Sequence, residues 1–360
     1  LNEALKYAIE NNASDIHITQ GKQCWIRIKG LLRQYGDEVA VSDIDEFVEV
    51  VVPEMLKEYI KLRERKRTEP IDGAFWYMFC RFRINIYLGM DGINIALRLL
   101  SDKILSLNEL YLPEEIHKFT QMKTGLFLVA GTTGSGKSTT LASMIDSINH
   151  SRAENILTIE QPVEYIHQSD KSRIEQIEVG IHIDSFKAAT VAAMRQNPNI
   201  ILVGEMRDLE TIQNAVTLAE TGHVVYGTLH AKSVTDTVDR IIDVFPPKQQ
   251  EQIRIQLAGV LKGVLHQTLV RYKNCVVPLV ELLTVDDVTS AMILGKQKSN
   301  TIRDHMRGKE GNVHIADNAV WHIKNRRLDI DSVKGILGSD DYNMVKSIVS
   351  TADKRRGFYG

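Results

Sequence analysis

Residues 131–139 read Gly-Thr-Thr-Gly-Ser-Gly-Lys-Ser-Thr, between the apolar run Gly125–Ala130 and a stretch with helical spacing at 140–146. A strand, a glycine-rich turn and a helix in that order constrain the fold more than any other feature of the chain. In such a loop the glycines let backbone N–H groups turn inward on an anion, and the helix N-terminus adds its dipole. Thr132, Thr133, Gly134, Ser135, Gly136, Lys137, Ser138 and Thr139 are therefore candidate nucleotide-binding residues. Lys137 is suited to the β- and γ-phosphates and Ser138 to Mg²⁺.

The chain of 360 residues, 43% hydrophobic, is long enough to fill two cores. Residues 1–100 alternate helix and strand signals. Residues 1–11 are amphipathic, 15–19 and 25–29 alternate with period two, and 41–67 are helical with a break at Pro53. Strands follow at 71–80, 81–87 and 93–98, giving a mixed α/β, PAS-like N-terminal domain. Periodicity lapses over 101–113, the expected linker. From 114 to 360 short apolar strands at 155–160, 200–204 and 224–230 are spaced by helical segments, as a covered and largely parallel sheet requires. This part is expected to be a RecA-like phosphate-loop sandwich. Beyond Arg240 the expected extension is helical over 247–259, 261–270 and 286–296, with one more strand at 276–283.

A formal net charge of −2 gives no general attraction to nucleic acid, and the basic run at 61–67 is short and interrupted, as on a solvated helix end. Cys24, Cys80 and Cys275 lie far apart with no C-x-x-C pair, so neither a zinc ribbon nor a disulfide framework is expected, and a reducing cytoplasm fits. No apolar stretch approaches the roughly 18 residues of a membrane span, and the first residues lack a signal-peptide pattern. Membrane association is expected to be peripheral only.

Hydrolysis of a bound triphosphate needs a carboxylate to orient water, ligands for Mg²⁺, and cations to neutralise developing charge. Glu205 ends the strand at 200–204 and is the first candidate for the water-positioning base, since ligands in this fold class lie at strand carboxyl ends. Many phosphate-loop enzymes hold the metal with an Asp just before such a Glu; here that position is Gly204. Glu160 and Glu164 follow a different strand, and either can complete the metal shell, order the water or form a surface ion pair. His223 and His230 flank a short strand, and their spacing argues against a metal pair. A hydrogen-bonding or phosphate-sensing role and a satisfied core histidine both stay open for each. Arg81, Arg83 and Arg98 fall on neighbouring strands, with Arg81 and Arg83 on one face, either directed at the γ-phosphate or simply solvated.

Together these strings resemble the type II/IV secretion ATPase superfamily of ring motors, in its pilus-retraction branch. The resemblance runs through the segments at 13–19 (an N-domain opening), 81–85 (an arginine strand), 159–165 (an acidic box), 203–211 (a Walker B strand) and 219–230 (a His box). It implies ATP hydrolysis with Mg²⁺, catalysis by Glu205, action of Glu160 and Glu164 on metal and water, and a nucleotide site shaped by His223 and His230. Arg81, Arg83 and Arg98 are implied to reach nucleotide or the neighbouring subunit of a homohexamer. The implied partner is the platform protein of a pilus machine at the cytoplasmic face of the inner membrane, with pilin disassembled indirectly and twitching motility as the outcome. Met206 is similar to the retraction branch, and the tetracysteine insertion of extension motors is absent from the sequence.

Three positions depart from the pattern. Gln161 replaces the acidic residue of the acidic box, the loop at 88–93 lacks an arginine, and residues 290–296 lack the arginines of a helix tied to retraction. A RecA-like nucleic-acid translocase is one alternative, although no basic, aromatic-interleaved path for a strand is evident. A nucleotide-switched accessory subunit is the other, suggested by Gln161. A guanine-specific switch is disfavoured by the lack of an N-K-x-D string after the loop.

Overall fold

The computed structural model describes residues 1–100, 103–273 and 275–356. The chain divides into two units, Leu1–Lys103 with Glu164–Ile166, and Ile104–Val163 with His167–Gly360. The first unit is built on period-two strands: β1 (Ala13–Thr19), β2 (Gln23–Ile28), β3 (Leu31–Glu38), β4 (Ile71–Tyr77), β5 (Cys80–Gly89) and β6 (Gly92–Leu99). They form an antiparallel sheet in the order β3-β2-β1-β6-β5-β4. Alternate residues Ile16, Ile26, Ile84 and Leu97 join a core that also takes residues of α1 (Asn2–Glu10), α2 (Val41–Val51) and α3 (Leu56–Arg63). The same alternation sends the intervening polar residues to the other face. Register then places Arg83 opposite Arg98, Arg98 opposite Asp15, and Asp15 opposite Arg27, one charged row across four strands.

The second unit holds β7 (Gly125–Ala130), β8 (Asn155–Glu160), β9 (Arg173–Glu178), β10 (Ile200–Val203), β11 (Val224–Leu229), β12 (Leu261–Tyr272) and β13 (Cys275–Thr284). Their order is β13-β12-β7-β11-β10-β8-β9, parallel throughout except for the β12–β13 hairpin. Every residue of β7, β10 and β11 is buried, as expected of central strands covered on both faces. The helices are α4 (His117–Thr120), α5 (Lys137–Ser151), α6 (Phe186–Ala193), α7 (Leu209–Glu220), α8 (Val234–Asp243) and α9 (Pro247–Val260), then α10 (Asp287–Leu294), α11 (Ser299–Met306), α12 (Ile315–Lys324) and α13 (Ser339–Arg356). Phe127, Val129 and Leu265 pack with Leu141 and Met144 of α5; Leu128 and Val203 pack in a separate cluster with Ile212 of α7 and Ile241 of α8. Side-chain caps start several of these helices: Ser185 accepts from Ala188 N, Asp208 from Thr211 N, Ser233 from Asp236 N and Asp286 from Thr289 N.

This is the expected pairing of a mixed α/β domain with a phosphate-loop sandwich and a helical extension. Several local expectations are corrected. Residues 261–270, expected as helix, form most of β12; the strand is held between β7 and β13 and buried along most of its length, polar residues included, so it lacks the strict alternation that would mark a strand in sequence. β3 was not expected because nearly all of its residues are exposed at a sheet edge, and β9 is likewise an edge strand with three charged residues. Within the expected linker, Leu107 and Leu112 are buried with Phe119 and Phe127, so residues 104–113 belong to the second unit. Residues 101 and 102 of that linker lie outside the described residues. No helix among the described residues is long and apolar enough to cross a membrane.

Candidate nucleotide site

The parallel register aligns the carboxyl ends of the central strands. Ala130 pairs with Leu229, Gly227 with Val203, and Val203 with Ile159, so the segments that follow β7, β11, β10 and β8 emerge side by side. Those segments carry the phosphate loop, His230 and Glu205, and Glu160 is the last residue of β8 itself. Ligand sites of open α/β sheets form at such edges.

The loop runs directly into α5. Gly136 is the helix N-cap with φ +88°, in the left-handed region where a side chain is strained. Lys137 Nζ donates to the carbonyls of Gly131 and Thr132 at 3.0 and 2.9 Å, holding the ammonium against the loop. The hydroxyl of Ser135 is buried without a hydrogen-bond partner in the structure, a polar group that a phosphate oxygen would satisfy. Thr132, Thr133 and Gly134 are exposed, and Ser138 and Thr139 are half-buried on the first turn of α5. Beside that turn lies a largely apolar recess of about 220 Å³ lined by Leu105, Leu110, Tyr111, Leu269, Val276 and Pro278, together with Gly136, Thr139 and Thr140.

Glu205 is held from several sides. The N–H of Met206 donates to the Thr228 carbonyl at 3.0 Å, Met206 is buried against Gly227, and Asp208 caps α7. These contacts fix the short turn that presents the carboxylate, whose side chain is 20% exposed. One oxygen lies 3.1 Å from His230 Nε2 and pairs closely with Arg207. Burial pushes the Glu205 carboxyl up, but the hydrogen bond and charge of Arg207, with the charges of His230 and Lys137, outweigh it and hold the group below the usual glutamate value. Glu205 is therefore a carboxylate at neutral pH.

Gly204 explains the missing Asp. A Cβ there would sit 3.1 Å from the Ile159 carbonyl and 3.2 to 3.3 Å from Cα and Cγ of Glu160. The carboxylate of the neighbouring strand thus occupies the ground beside position 204, and Thr158 Oγ1 donates to it at 2.7 Å. The donor set of the Ser138 hydroxyl with the Glu160 carboxylate suits Mg²⁺, which takes one or two protein carboxylates and completes its shell from phosphate and water. Among the described residues no group of three or more His, Cys, Asp and Glu forms a self-sufficient metal cage.

The remaining expected residues divide between the two units. His223 precedes β11 and His230 follows it; the His223 carbonyl accepts from Gly125 N at the start of β7, and its Nδ1 is 2.9 Å from the Leu218 carbonyl. The six residues of β11 therefore separate His223 from the phosphate loop, and only His230 joins Glu205. Arg81, Arg83 and Arg98 all belong to the first unit. Arg81 is buried, whereas Arg98 is exposed and bonded to Asp15 at 3.0 Å. Glu164 groups with that unit as well. The sequence reading missed Arg207, although the string Glu-Met-Arg sets it two residues from the catalytic candidate, and missed the recess, whose walls come from distant segments.

Residues 1–334 match the family model for type II/IV secretion system proteins. The chain belongs to this family. Among members of the type II/IV secretion family it is 37% identical to the type IV pilus retraction ATPase PilT of Pseudomonas aeruginosa, over 75% of this chain and 78% of that protein. It is 40% identical to a twitching motility protein of Neisseria gonorrhoeae, over 72% of this chain and 70% of the relative. A crystal structure of the pilus retraction motor PilT with bound ADP superposes with a TM-score of 0.82 at 36% identity, covering 96% of both chains. The family resemblance drawn from the motifs is thereby borne out.

Proposed function

We propose that this chain is an ATP-hydrolysing motor that works as a homohexamer and drives retraction of a type IV pilus, disassembling pilin and powering twitching motility. The observation that carries this reading is the likeness to an ADP-bound retraction motor along nearly the whole chain. The site supplies matching chemistry. Loop amides and Lys137 hold the phosphates, and the apolar recess beside α5 takes the base. Ser138 and Glu160 would hold Mg²⁺, which when bound would neutralise charge on the phosphate oxygens. Glu205, ionised and fixed by its turn, accepts a hydrogen bond from water and orients it, and His230 steadies the carboxylate. The resemblance implies that Arg81, Arg83 and Arg98 of the first unit reach nucleotide or the neighbouring subunit of the homohexamer. Glu164 acts on metal or water on the same ground. The motor acts on the platform protein of a pilus machine at the cytoplasmic face of the inner membrane.

Residues 290–296 occupy α10 and the turn after it, where Ser290 Oγ donates to the Ala258 carbonyl at 2.8 Å and Lys296 pairs with Glu251 at 2.6 Å. Because this segment departs from other retraction motors, the direction of work is the part of the reading to test in cells. A deletion strain is expected to keep surface pili and lose twitching, with recovery on expression of the wild-type chain and none with Glu205→Gln. Loss of surface pili, or unimpaired twitching, would contradict retraction.

A further inference from the structure

β12 has twelve residues and β7 has six, and the two run parallel from near their starts. The last pair in register with β7 is His266 with Ala130, so on that edge the next residue of β12, Gln267, lies alongside the phosphate loop, while on the other edge it pairs with Val280 of β13. Its neighbours on the same strand face, Leu265 and Leu269, are apolar, and Leu265 packs in the core with α5. A polar side chain in that row needs partners, since Gln267 is 2% exposed.

Both ends of the amide are satisfied by the loop and the helix it feeds. Gln267 Nε2 donates to the Ser135 carbonyl at 2.6 Å, and Gln267 Oε1 accepts from Thr140 Oγ1 at 2.8 Å. A Cβ at Gly136 would stand 2.7 Å from Nε2, and one at Gly131 would stand 2.4 Å from the Gln267 backbone carbonyl. The loop therefore lies flush on this residue at two of its glycines. A trans peptide unit points its C=O and N–H in opposite directions. Tying down the Ser135 carbonyl consequently turns the Gly136 N–H away from β12.

We propose that Gln267 is a positioning residue that holds the phosphate loop in its anion-binding form before nucleotide arrives. The loop has glycines at positive φ at 131, 134 and 136, and such a segment loses much conformational freedom when it orders around a phosphate. A buried amide whose two partners are Ser135 and Thr140 favours the ordered form, in which the amide, the Ser135 carbonyl and the Thr140 hydroxyl are all paired. The bridge also spans the joint between loop and α5, so it fixes the first helical turn, with Ser138 on it, relative to the loop.

This inference rests on the proposed nucleotide site, and the test separates the two. Gln267→Met keeps volume and removes both bonds. It is expected to weaken ADP binding about tenfold, the size of one lost net hydrogen bond, with a smaller change in kcat than in KM for ATP and an unchanged circular dichroism spectrum. Gln267→Glu can accept from Thr140 but, when ionised, cannot donate to Ser135. Burial raises the pKa of such a carboxyl and protonation restores the donor, so ADP affinity relative to wild type at the same pH is expected to recover as pH falls, which Met cannot do. Hydrogen exchange over residues 131–139 without nucleotide is expected to speed up in the Met variant. Wild-type affinity and wild-type exchange in Gln267→Met, or a Glu variant whose relative affinity ignores pH, would overturn the proposal. Absence of ADP binding by the wild-type protein would overturn the nucleotide reading instead, while the exchange measurement still decides whether Gln267 orders the loop. If the Met variant does not fold, the isosteric Thr140→Val removes one bond of the bridge and is expected to speed exchange and weaken binding in the same direction, whereas wild-type behaviour there would overturn the proposal.

Discussion

Glu205 draws its character from neighbours of opposite charge. Because Arg207 contributes most to the lowering that offsets burial, Arg207→Ala is expected to raise the pKa of Glu205 and move the acid limb of the kcat profile to higher pH, as stopped pH–rate assays would show. The sign follows from ionisation: activity that needs the carboxylate is present above its pKa and lost as pH falls through it. At position 204, restoring the Asp common in other phosphate-loop enzymes is expected to lower kcat. The new side chain would crowd Glu160 and set a second carboxylate beside it. Steady-state phosphate release by Gly204→Asp checks this, and a rate above wild type would refute it.

The caps and strand ends do at the level of elements what these charges do locally. Asp286 caps α10 through Thr289 N at 2.8 Å and pairs with Lys309. Burial raises its carboxyl, but Lys309 and Thr289 outweigh that and hold it well below the ordinary aspartate value of 3.8. Asp286→Ala is expected to cost about 1 kcal/mol in urea unfolding near neutral pH, the usual size of a lost N-cap. Since the folded pKa is depressed, that difference is present above the unfolded pKa and shrinks as pH falls through the folded one. The phosphate loop and the Glu205 strand end were legible in sequence because each couples a special residue string to a change of periodicity. β12 was not, since burial on both faces erases the alternation that marks a strand, and with it went the position of Gln267. The recess at Tyr111 and Leu269, and the crowding of Gly204 by Glu160, are contacts between segments far apart in sequence, which no local pattern records.

At the scale of the whole molecule, the family match over residues 1–334 takes in residues of both units, with the arginine row in the first and the carboxylates Glu160 and Glu205 in the second. If the active form is a homohexamer, ATPase activity per subunit is expected to rise with protein concentration in step with mass measured by light scattering. A constant specific activity across the monomer-to-oligomer transition would count against assembly-dependent hydrolysis. The cluster at the strand ends is proposed to hydrolyse ATP with Glu205 orienting water. Its most direct test is phosphate release together with nucleotide binding by wild type, Lys137→Ala and Glu205→Gln. The expected result is turnover by wild type, a loss of about 100-fold or more in Glu205→Gln with nucleotide binding retained, and loss of both in Lys137→Ala. Equal rates in wild type and Glu205→Gln, whether near zero or substantial, would contradict it.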